Sequence, residues 1–148
     1  MPPARLLARG LLCPERSGPD PCGVCPACRE AQAGTSVDVI EIDGASNRGI
    51  EEIRTLRENV KYAPSRGRYK VYIIDEVHQL TADAFNALLK TLEEPPAHVV
   101  MVLATTDPRD LPPTILSRVQ RFDFRPMAPD LLATTLADIL HKEKLPFD

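Results

Sequence analysis

The chain has 148 residues, of which 43% are hydrophobic and 26% are charged, as is ordinary for one globular domain with a real core. A formal net charge of −3 excludes a wholesale coat of nucleic acid, and an aromatic content of 5% without Trp argues against a base-stacking platform for single strands. No apolar run approaches the roughly 18–20 residues of a membrane-spanning helix, and the amino terminus only faintly imitates a targeting peptide, so we expect a cytoplasmic protein with no membrane contact.

The spacing of apolar residues predicts helices and strands that alternate along the chain. The predicted helices are 3–12, 27–33, about 49–61, a segment from a Thr81 cap to Pro95, a short one around 114–117, and 129 to about 143. The predicted strands are 37–43, the run that begins at Lys70, a fully buried strand at 99–104, and 121–124. This alternation indicates the α/β class with a mainly parallel sheet.

The run from Lys70 to His78 carries the strongest functional signal. Apolar, mostly β-branched residues lead directly into the adjacent carboxylates Asp75 and Glu76, as in a parallel strand that is buried on both faces. Open α/β sheets bind ligands at the carboxyl ends of their strands. One carboxylate there can position Mg²⁺ and the next can polarise a water for nucleotide hydrolysis. The alternative is a core strand that ends in a solvated turn.

All the cysteines of the chain lie in one short segment, with the spacing C-x8-C-x2-C-x2-C. They are Cys13, Cys22, Cys25 and Cys28. Four thiolates at this spacing predict a structural Zn²⁺ site with a closed tetrahedral shell. An iron–sulfur cluster is the sharper alternative, although its fourth thiolate usually precedes a Pro and here Arg29 follows Cys28. Disulfides are the third alternative, and a cytoplasmic location disfavours them.

Five stretches in a fixed order give the chain a close resemblance to one family. They are the four-cysteine module, 43–49 before a helix, 71–78, 86–96, and 103–107 followed by 115–118. In these stretches the chain resembles the clamp-loader ATPase subunits of bacterial DNA polymerase III, of the gamma/tau type, which belong to the AAA+ group. The resemblance covers nearly the whole chain, and its specificity comes from the combination and order of the stretches.

The resemblance implies a role for each matching residue. Asp75 and Glu76 match the Walker B carboxylates, and Thr106 matches sensor 1, a polar side chain beside the γ-phosphate. Arg118 falls on the arginine finger that reaches across the subunit interface, where a planar guanidinium suits a transferring phosphoryl group. Val119 stands where the family has Cys, which leaves the role of the arginine intact.

A second implied site lies at the start of the helix that follows Gly49. Ser46, Asn47 and Arg48 match the helix start that lines the DNA channel in the family, and exposed backbone N–H groups at such a start bind phosphate well. Simple capping of the helix by Ser46 or Asn47 is the structural alternative, and the two are compatible.

The family also implies a domain organisation, cofactors and partners. Residues 1–125 would form a partial AAA+ ATPase domain with an inserted zinc module at 13–28, and 126–148 the first helix of a helical lid domain. The implied cofactors are a structural Zn²⁺ and, in the complete protein, ATP with Mg²⁺. The implied partners are other clamp-loader subunits, the sliding clamp and the backbone phosphates of primed DNA.

One element of the family is missing from the 148 residues. The phosphate-binding Walker A loop, G-x-x-x-x-G-K-[ST], is expected just before the first helix, but none of the seven glycines is followed by Lys. The sensor 2 arginine of the second domain is not in the sequence either. We therefore expect an incomplete AAA+ domain that neither binds ATP tightly nor hydrolyses it by itself.

Two other functions are compatible with parts of the sequence. Asp75-Glu76-Val77-His78 is a D-E-x-H box, which indicates a nucleic-acid helicase. A helicase should also have a Ser-Ala-Thr element after the next strand, where this chain has Ala104-Thr105-Thr106-Asp107, and a late Gln/Arg-rich motif. A non-catalytic zinc-bearing assembly protein that uses the same surfaces for subunit contacts is the other alternative.

Overall fold

The computed structural model describes residues 2–143. Helices and strands alternate within this range, and each lies within a few residues of its predicted position. The helices are α1 (Pro2–Leu12), α2 (Pro26–Ala33), α3 (Ile50–Asn59), α4 (Ala82–Glu93), α5 (Pro113–Leu116) and α6 (Pro129–Glu143). The strands are β1 (Val39–Asp43), β2 (Lys70–Asp75) and β3 (Val99–Leu103). The predicted α/β class with a parallel sheet is thus confirmed.

The sheet is organised around β2, which lies between β1 and β3 and pairs with both in parallel. Four consecutive residues of β2 are buried, because helices cover both faces of the sheet. Tyr72 and Ile74 pack in the core formed with α3 and α4. Val71 and Ile73 pack on the opposite face against α1, through Ala4, Ala8 and Leu12. A strand that is apolar on both faces is the expected pattern for this position.

Two predicted strands differ from the structure. The prediction of a fully buried strand at 99–104 is wrong, since only Val99 of β3 is buried. Within residues 2–143, β3 is an edge strand, and its outer side has no paired neighbour. The prediction of a strand at 121–124 is also wrong, because 120–128 has no regular structure. Phe122 and Phe124 are 70% and 79% exposed, and a strand requires a neighbour to receive its backbone hydrogen bonds.

The carboxyl-terminal helix has the bounds that the sequence predicts, but none of its residues is buried. Its apolar side chains include Leu131 and Leu136, which are 57% and 50% exposed. The predicted lid segment 126–148 is described only as far as residue 143, so its end lies outside the described residues. Within the described range, no helix is both long enough and apolar enough to cross a membrane.

A buried carboxylate connects the start of β1 to the loop that precedes β2. Asp38 is 4% exposed and accepts backbone N–H groups from Ser65 at 2.7 Å, Arg66 at 3.0 Å and Gly67 at 3.4 Å. The backbone carbonyl of Asp38 accepts the N–H of Val71 at 2.8 Å. This cluster of donors compensates the burial of the charge and fixes the chain just before it enters β2.

We expect Asp38→Asn to destabilise the protein by about 1.5–3 kcal/mol, measured as the free energy of unfolding in urea. Either orientation of the new amide would point an NH₂ group at backbone N–H donors that now contact a carboxylate oxygen. Asp123→Asn is the matched control, because Asp123 is an exposed residue in an ion pair with Arg121, and we expect it to change stability by less than about 0.5 kcal/mol. Equal effects of the two substitutions would contradict the role given to Asp38.

Candidate functional site

The three parallel strands end at one edge of the sheet and bring the predicted site residues together. The register pairs Asp43 of β1 with Asp75 of β2. Glu76 follows Asp75 directly, and the segment with Thr105 and Thr106 follows β3. The Thr106 hydroxyl donates to Oε2 of Glu76 at 3.0 Å. Glu76 and Thr106, predicted from distant parts of the sequence, are thus direct neighbours, with Asp75 adjacent in the chain.

The backbone at Glu76 has an unusual conformation. Its φ of 45° and ψ of 46° lie in the left-handed region, and within residues 2–143 no other residue except glycine has a positive φ. The Glu76 N–H donates to Oδ1 of Asp75 at 2.8 Å. A side chain in this region costs about 1–3 kcal/mol, and such strain is concentrated at functional sites. Here it turns the chain out of β2 so that Glu76 faces the loop after β3.

Gly44 fits tightly against this strained turn. Its N–H donates to the carbonyl of Asp75 at 2.8 Å. A Cβ at position 44 would lie 2.7 Å from the carbonyl oxygen of Glu76 and 2.8 Å from that of Asp75, closer than any side chain tolerates. In the sequence Gly44 simply follows the predicted strand 37–43, because a close approach to a distant segment leaves no local signal. Gly44 therefore permits the contact that supports Glu76.

His78 also belongs to the site, although its sequence position predicted no role for it. It lies in the 3₁₀ turn Val77–Gln79, and its side chain is 12% exposed. Its Nδ1 is 2.8 Å from Oγ1 of Thr105 and 3.3 Å from Oε2 of Glu76. The only sequence signal was its position as the fourth residue of the D-E-x-H box.

Two carboxylates near this edge of the sheet have lowered pKa values. The Arg109 side chain lowers the pKa of Asp107 to about 2, and the Ser46 hydroxyl lowers the pKa of Asp43 from its usual value. Both groups are therefore ionised at neutral pH. Carboxylate oxygens are the ligands that Mg²⁺ prefers, so a divalent cation is chemically compatible with this edge.

The loop with the predicted DNA contacts lies at the same edge, but its side chains do not cap α3. The N-cap residue is Gly49, and no side chain bonds to the helix start there. Ser46 Oγ donates to Oδ2 of Asp43 at 2.6 Å, and Asn47 Nδ2 donates to the Asp43 carbonyl at 3.1 Å. The prediction of capping by Ser46 or Asn47 is therefore wrong, because these side chains donate to Asp43 and accept no N–H group of the helix start.

Arg48 is the cationic residue of this loop, and it is exposed. Its carbonyl accepts the N–H of Thr81 at 3.1 Å, which ties the loop to the start of α4. The first turn of α3 contains Glu51 and Glu52. These carboxylates complement the helix dipole and oppose an approaching phosphate. A phosphate contact here would consequently depend on Arg48.

Arg118 is remote from the acidic edge. Its Nη2 donates to Oε1 of Glu93 at 2.7 Å, and its Nη1 donates to the carbonyl of Thr114 at 2.7 Å. Glu93 is the last residue of α4, a helix of 12 residues that is about 18 Å long. Because α4 begins near Arg48 and the acidic edge, Arg118 is held at the opposite end of this helix.

The four cysteines form a compact cluster that extends from the end of α1 into the first turn of α2. All are free, and three of them are buried. Their Sγ atoms lie within 4.8 Å of one another, with Cys13 and Cys25 at 3.9 Å. Tetrahedral coordination with Zn–S bonds of about 2.3 Å requires Sγ atoms about 3.8 Å apart. The cluster therefore has the dimensions of a site for one tetrahedral metal ion.

Backbone N–H groups donate to three of the four sulfur atoms. Cys22 N–H donates to Sγ of Cys13 at 3.3 Å, Cys25 N–H to Sγ of Cys22 at 3.3 Å, and Cys28 N–H to Sγ of Cys25 at 3.4 Å. The N–H of Cys25 lowers the pKa of Cys22 to about 7. At Cys25 the N–H of Cys28 also lowers the pKa, but burial and the neighbouring thiols raise it to about 12. A cation at the centre would favour ionisation of every thiol.

The parallel sheet with acidic residues at its carboxyl edge defines an α/β protein of the kind that binds ligands at this edge. Within that class, the chain belongs to the DNA polymerase III delta-subunit family, whose sequence model, "DNA polymerase III, delta subunit", matches residues 1–128. This membership and the relatives described next confirm the resemblance to bacterial DNA polymerase III subunits that the sequence motifs indicate.

Several relatives with high sequence identity to the chain are tau subunits of DNA polymerase III. The chain is 55% identical to DNA polymerase III subunit tau of Salmonella typhimurium over 142 residues, which is 96% of the chain and 22% of that protein. It is 54% identical to the tau subunit of Escherichia coli with the same coverage, and 50% identical to that of Bacillus subtilis over 96% of the chain and 25% of that protein. The chain thus spans about a quarter or less of these relatives.

A solved structure agrees with the fold. The crystal structure of a DNA polymerase III gamma subunit-related protein from Thermotoga maritima superposes with a TM-score of 0.61 at 34% sequence identity. The match covers 76% of this chain and 41% of that chain. The arrangement of parallel strands and flanking helices is accordingly shared with a gamma-type protein.

We expect Gly44→Ala to displace the Asp75–Glu76 turn and to destabilise the protein by about 1–3 kcal/mol, as overpacking against backbone does. Backbone chemical shifts should change at Glu76 and Thr106, and urea unfolding should show the loss of stability.

Gly10→Ala is the matched control for this substitution. Gly10 is in α1, and a Cβ there would meet the Pro19 carbonyl at 3.5 Å, an ordinary contact. Alanine in a helix is favoured over glycine by up to about 1 kcal/mol, so this change should be neutral or stabilising. A Gly44→Ala protein with unchanged shifts at Glu76 would contradict the steric argument.

Proposed function

We propose that the chain is part of a clamp-loader subunit of the gamma/tau type and contributes a section of its AAA+ ATPase domain. In the complete protein, this domain uses ATP binding and hydrolysis to load a sliding clamp onto primed DNA. The observation that carries the proposal is the convergence of Asp75, Glu76 and Thr106 at the carboxyl edge of a parallel sheet, in a chain related to tau subunits. The alternative of a helicase has no comparable support.

The residues of the edge have distinct roles in this proposal. Asp75 holds Mg²⁺, Glu76 polarises the attacking water, and Thr106 contacts the γ-phosphate. When bound, Mg²⁺ neutralises charge on the phosphates of ATP. The 148 residues contain no G-x-x-x-x-G-K-[ST] loop, so the backbone cradle for the phosphates is not among them. Hydrolysis is therefore assigned to the full-length subunit in its complex.

Partners follow from the same assignment. Other clamp-loader subunits would contact the surface with Arg118, and the sliding clamp and primed DNA would bind the assembled complex. Ser46, Asn47 and Arg48 would meet DNA backbone phosphates, with Arg48 supplying the positive charge. The domain division at 125–126 is supported by the lack of regular structure at 120–128, which precedes the exposed helix α6. A cytoplasmic location is part of the proposal.

Zn²⁺ is the metal proposed for the cysteine cluster. The support is the fit of the Sγ separations to tetrahedral coordination and the presence of four thiol ligands and no open position. Cys25 lies just before α2 and Cys28 lies in the first turn of this helix. Cys25 also caps the helix, because its Sγ accepts the N–H of Cys28. The role is structural, because a closed thiolate shell has no position for a substrate.

The purified chain should contain about one zinc per molecule and no visible iron–sulfur absorption. Removing the metal with a chelator should lower the melting temperature, because the binding energy of a structural metal contributes to folding. Cys28→Ser, at a buried ligand position, should lose the metal. Val24→Ser is the matched control, since Val24 lies in the same loop with 70% exposure, and it should keep the metal. Stoichiometric iron, or two disulfides in freshly reduced protein, would refute zinc.

Arg118 is proposed to act on ATP bound by a neighbouring subunit. The support is its position at the far end of α4, away from Asp75 and Glu76 of its own chain. Its guanidinium bonds Glu93, Thr114 and Ser117, and none of the bonds described within residues 2–143 joins it to Asp75 or Glu76. Glu93 holds the guanidinium with 33% of the Arg118 side chain exposed, which leaves it accessible to a partner.

In the full-length subunit within its complex, Arg118→Ala should leave ATP binding nearly intact and lower hydrolysis by about 10³-fold or more. Arg121→Ala is the matched control, because Arg121 is an exposed arginine paired with Asp123, and hydrolysis should persist. In mixed assemblies, Arg118→Ala subunits should hydrolyse ATP when a neighbour supplies the arginine, whereas Glu76→Gln subunits should not be rescued by any neighbour. Equal loss in isolated and mixed subunits would exclude action across the interface.

A further inference from the structure

We propose that His78 is a positioning residue that holds the Glu76 carboxylate against the loop after β3 through its Nδ1–H group. The inference rests on the role proposed for Glu76 as the residue that polarises water. His78 is two residues beyond Glu76, and its Nδ1 contacts both Oγ1 of Thr105 and the Glu76 carboxylate. With a side chain that is 12% exposed, it is largely shielded from solvent.

The hydrogen-bond partners of His78 determine which ring nitrogen carries the proton. Nε2 of His78 lies 2.8 Å from Nε2 of Gln79. The Gln79 amide nitrogen can only donate, so Nε2 of His78 must accept. In the neutral ring the proton is then on Nδ1. This nitrogen donates to Oγ1 of Thr105 at 2.8 Å, and the same N–H group lies 3.3 Å from Oε2 of Glu76.

Two donors of Thr106 converge on one oxygen of Glu76, and Nδ1 of His78 lies beside the same oxygen. Oε2 lies 3.0 Å from Oγ1 of Thr106, 3.4 Å from the Thr106 N–H nitrogen and 3.3 Å from Nδ1 of His78. The other oxygen, Oε1, has no hydrogen-bond partner within residues 2–143. His78 thus helps to hold Oε2 in place and leaves Oε1 as the oxygen available to a water molecule.

The backbone makes this arrangement rigid. Val77 is fully buried, and its N–H donates to the carbonyl of Ala104 at 2.9 Å. This bond locks the turn that contains His78 to the segment that contains Thr105. Thr105 Oγ1 also accepts the N–H of Asp107 at 3.0 Å, which fixes the hydroxyl. Because both sides are fixed, a change in the His78 ring is transmitted to the Glu76 carboxylate.

A second histidine provides an internal control for the assignment of the proton. His98 Nε2 lies 3.0 Å from the carbonyl of Val60, which can only accept. His98 should therefore carry its proton on Nε2, the opposite tautomer to His78. Nitrogen NMR of the 148-residue chain distinguishes the two tautomers directly. At a pH at which both rings are neutral, we expect the proton on Nδ1 of His78 and on Nε2 of His98 in the same sample. An Nε2–H ring at His78 would overturn the proposal.

Substitutions in the full-length subunit test the effect on catalysis. Asn places an amide donor near the position of Nδ1, whereas Gln places one near Nε2, and Ala has neither. We expect His78→Ala and His78→Gln to lower kcat by about 10- to 10²-fold with little change in KM for ATP, as a small misplacement of a catalytic group does. His78→Asn should retain most of kcat. His98→Asn is the matched control and should keep full activity.

The same substitutions distinguish a failure of the role proposed for His78 from a failure of the role proposed for Glu76. In a Glu76→Gln background, His78→Ala should cause no further loss, because its effect acts through the carboxylate. Wild-type hydrolysis by Glu76→Gln would refute the role of Glu76, whatever the tautomer of His78. A normal kcat for His78→Gln, or a raised KM at constant kcat, would refute positioning by His78. If His78→Ala fails to fold, the Asn and Gln pair and the tautomer measurement still decide the question.

Discussion

The burial of β2 on both faces is the constraint on which the rest of the structure depends. Tyr72 and Ile74 face one core and Val71 and Ile73 face another, so a slip of one residue would exchange the two sets. The faces are covered by different helices, and neither could accept the exchanged set without repacking. The register is therefore fixed, and it places Asp75 opposite Asp43 with Glu76 just beyond the paired strands.

The strained conformation of Glu76 is stable because segments on both sides hold it. Gly44 donates to the Asp75 carbonyl from the side of β1, and the Val77 N–H bonds to Ala104 from the side of β3. Each bond extends the pattern of the sheet by one residue past a strand end. The well-packed strand thus supports a turn that would be unfavourable in isolation, and it aims the carboxylate at Thr106.

The sequence predicted the features that depend on local pattern, and missed those that depend on a distant neighbour. The buried run at 71–74, the Thr81 cap and the cysteine cluster were visible because burial, capping and ligand spacing leave periodic or short-range signals. The position of 99–104 in the sheet, central or at an edge, depends on the other strands. The pairing of 121–124 with a partner strand depends on them as well. The contacts of Gly44 and His78 link segments about 30 residues apart, and no local pattern encodes them.

Helix α1 links the cysteine cluster to the sheet through hydrogen bonds of Cys13 and Arg5. Cys13 continues the hydrogen bonding of this helix, since its N–H donates to the Arg9 carbonyl at 3.0 Å. The opposite part of α1 is tied to β1 by Arg5, whose Nε and Nη2 each donate to a carboxylate oxygen of Glu41 at 2.7 Å. This pair lowers the pKa of Glu41 and keeps it ionised at neutral pH. A metal that orders Cys13 would therefore also order the helix that covers Val71 and Ile73, and so would favour the register that builds the acidic edge.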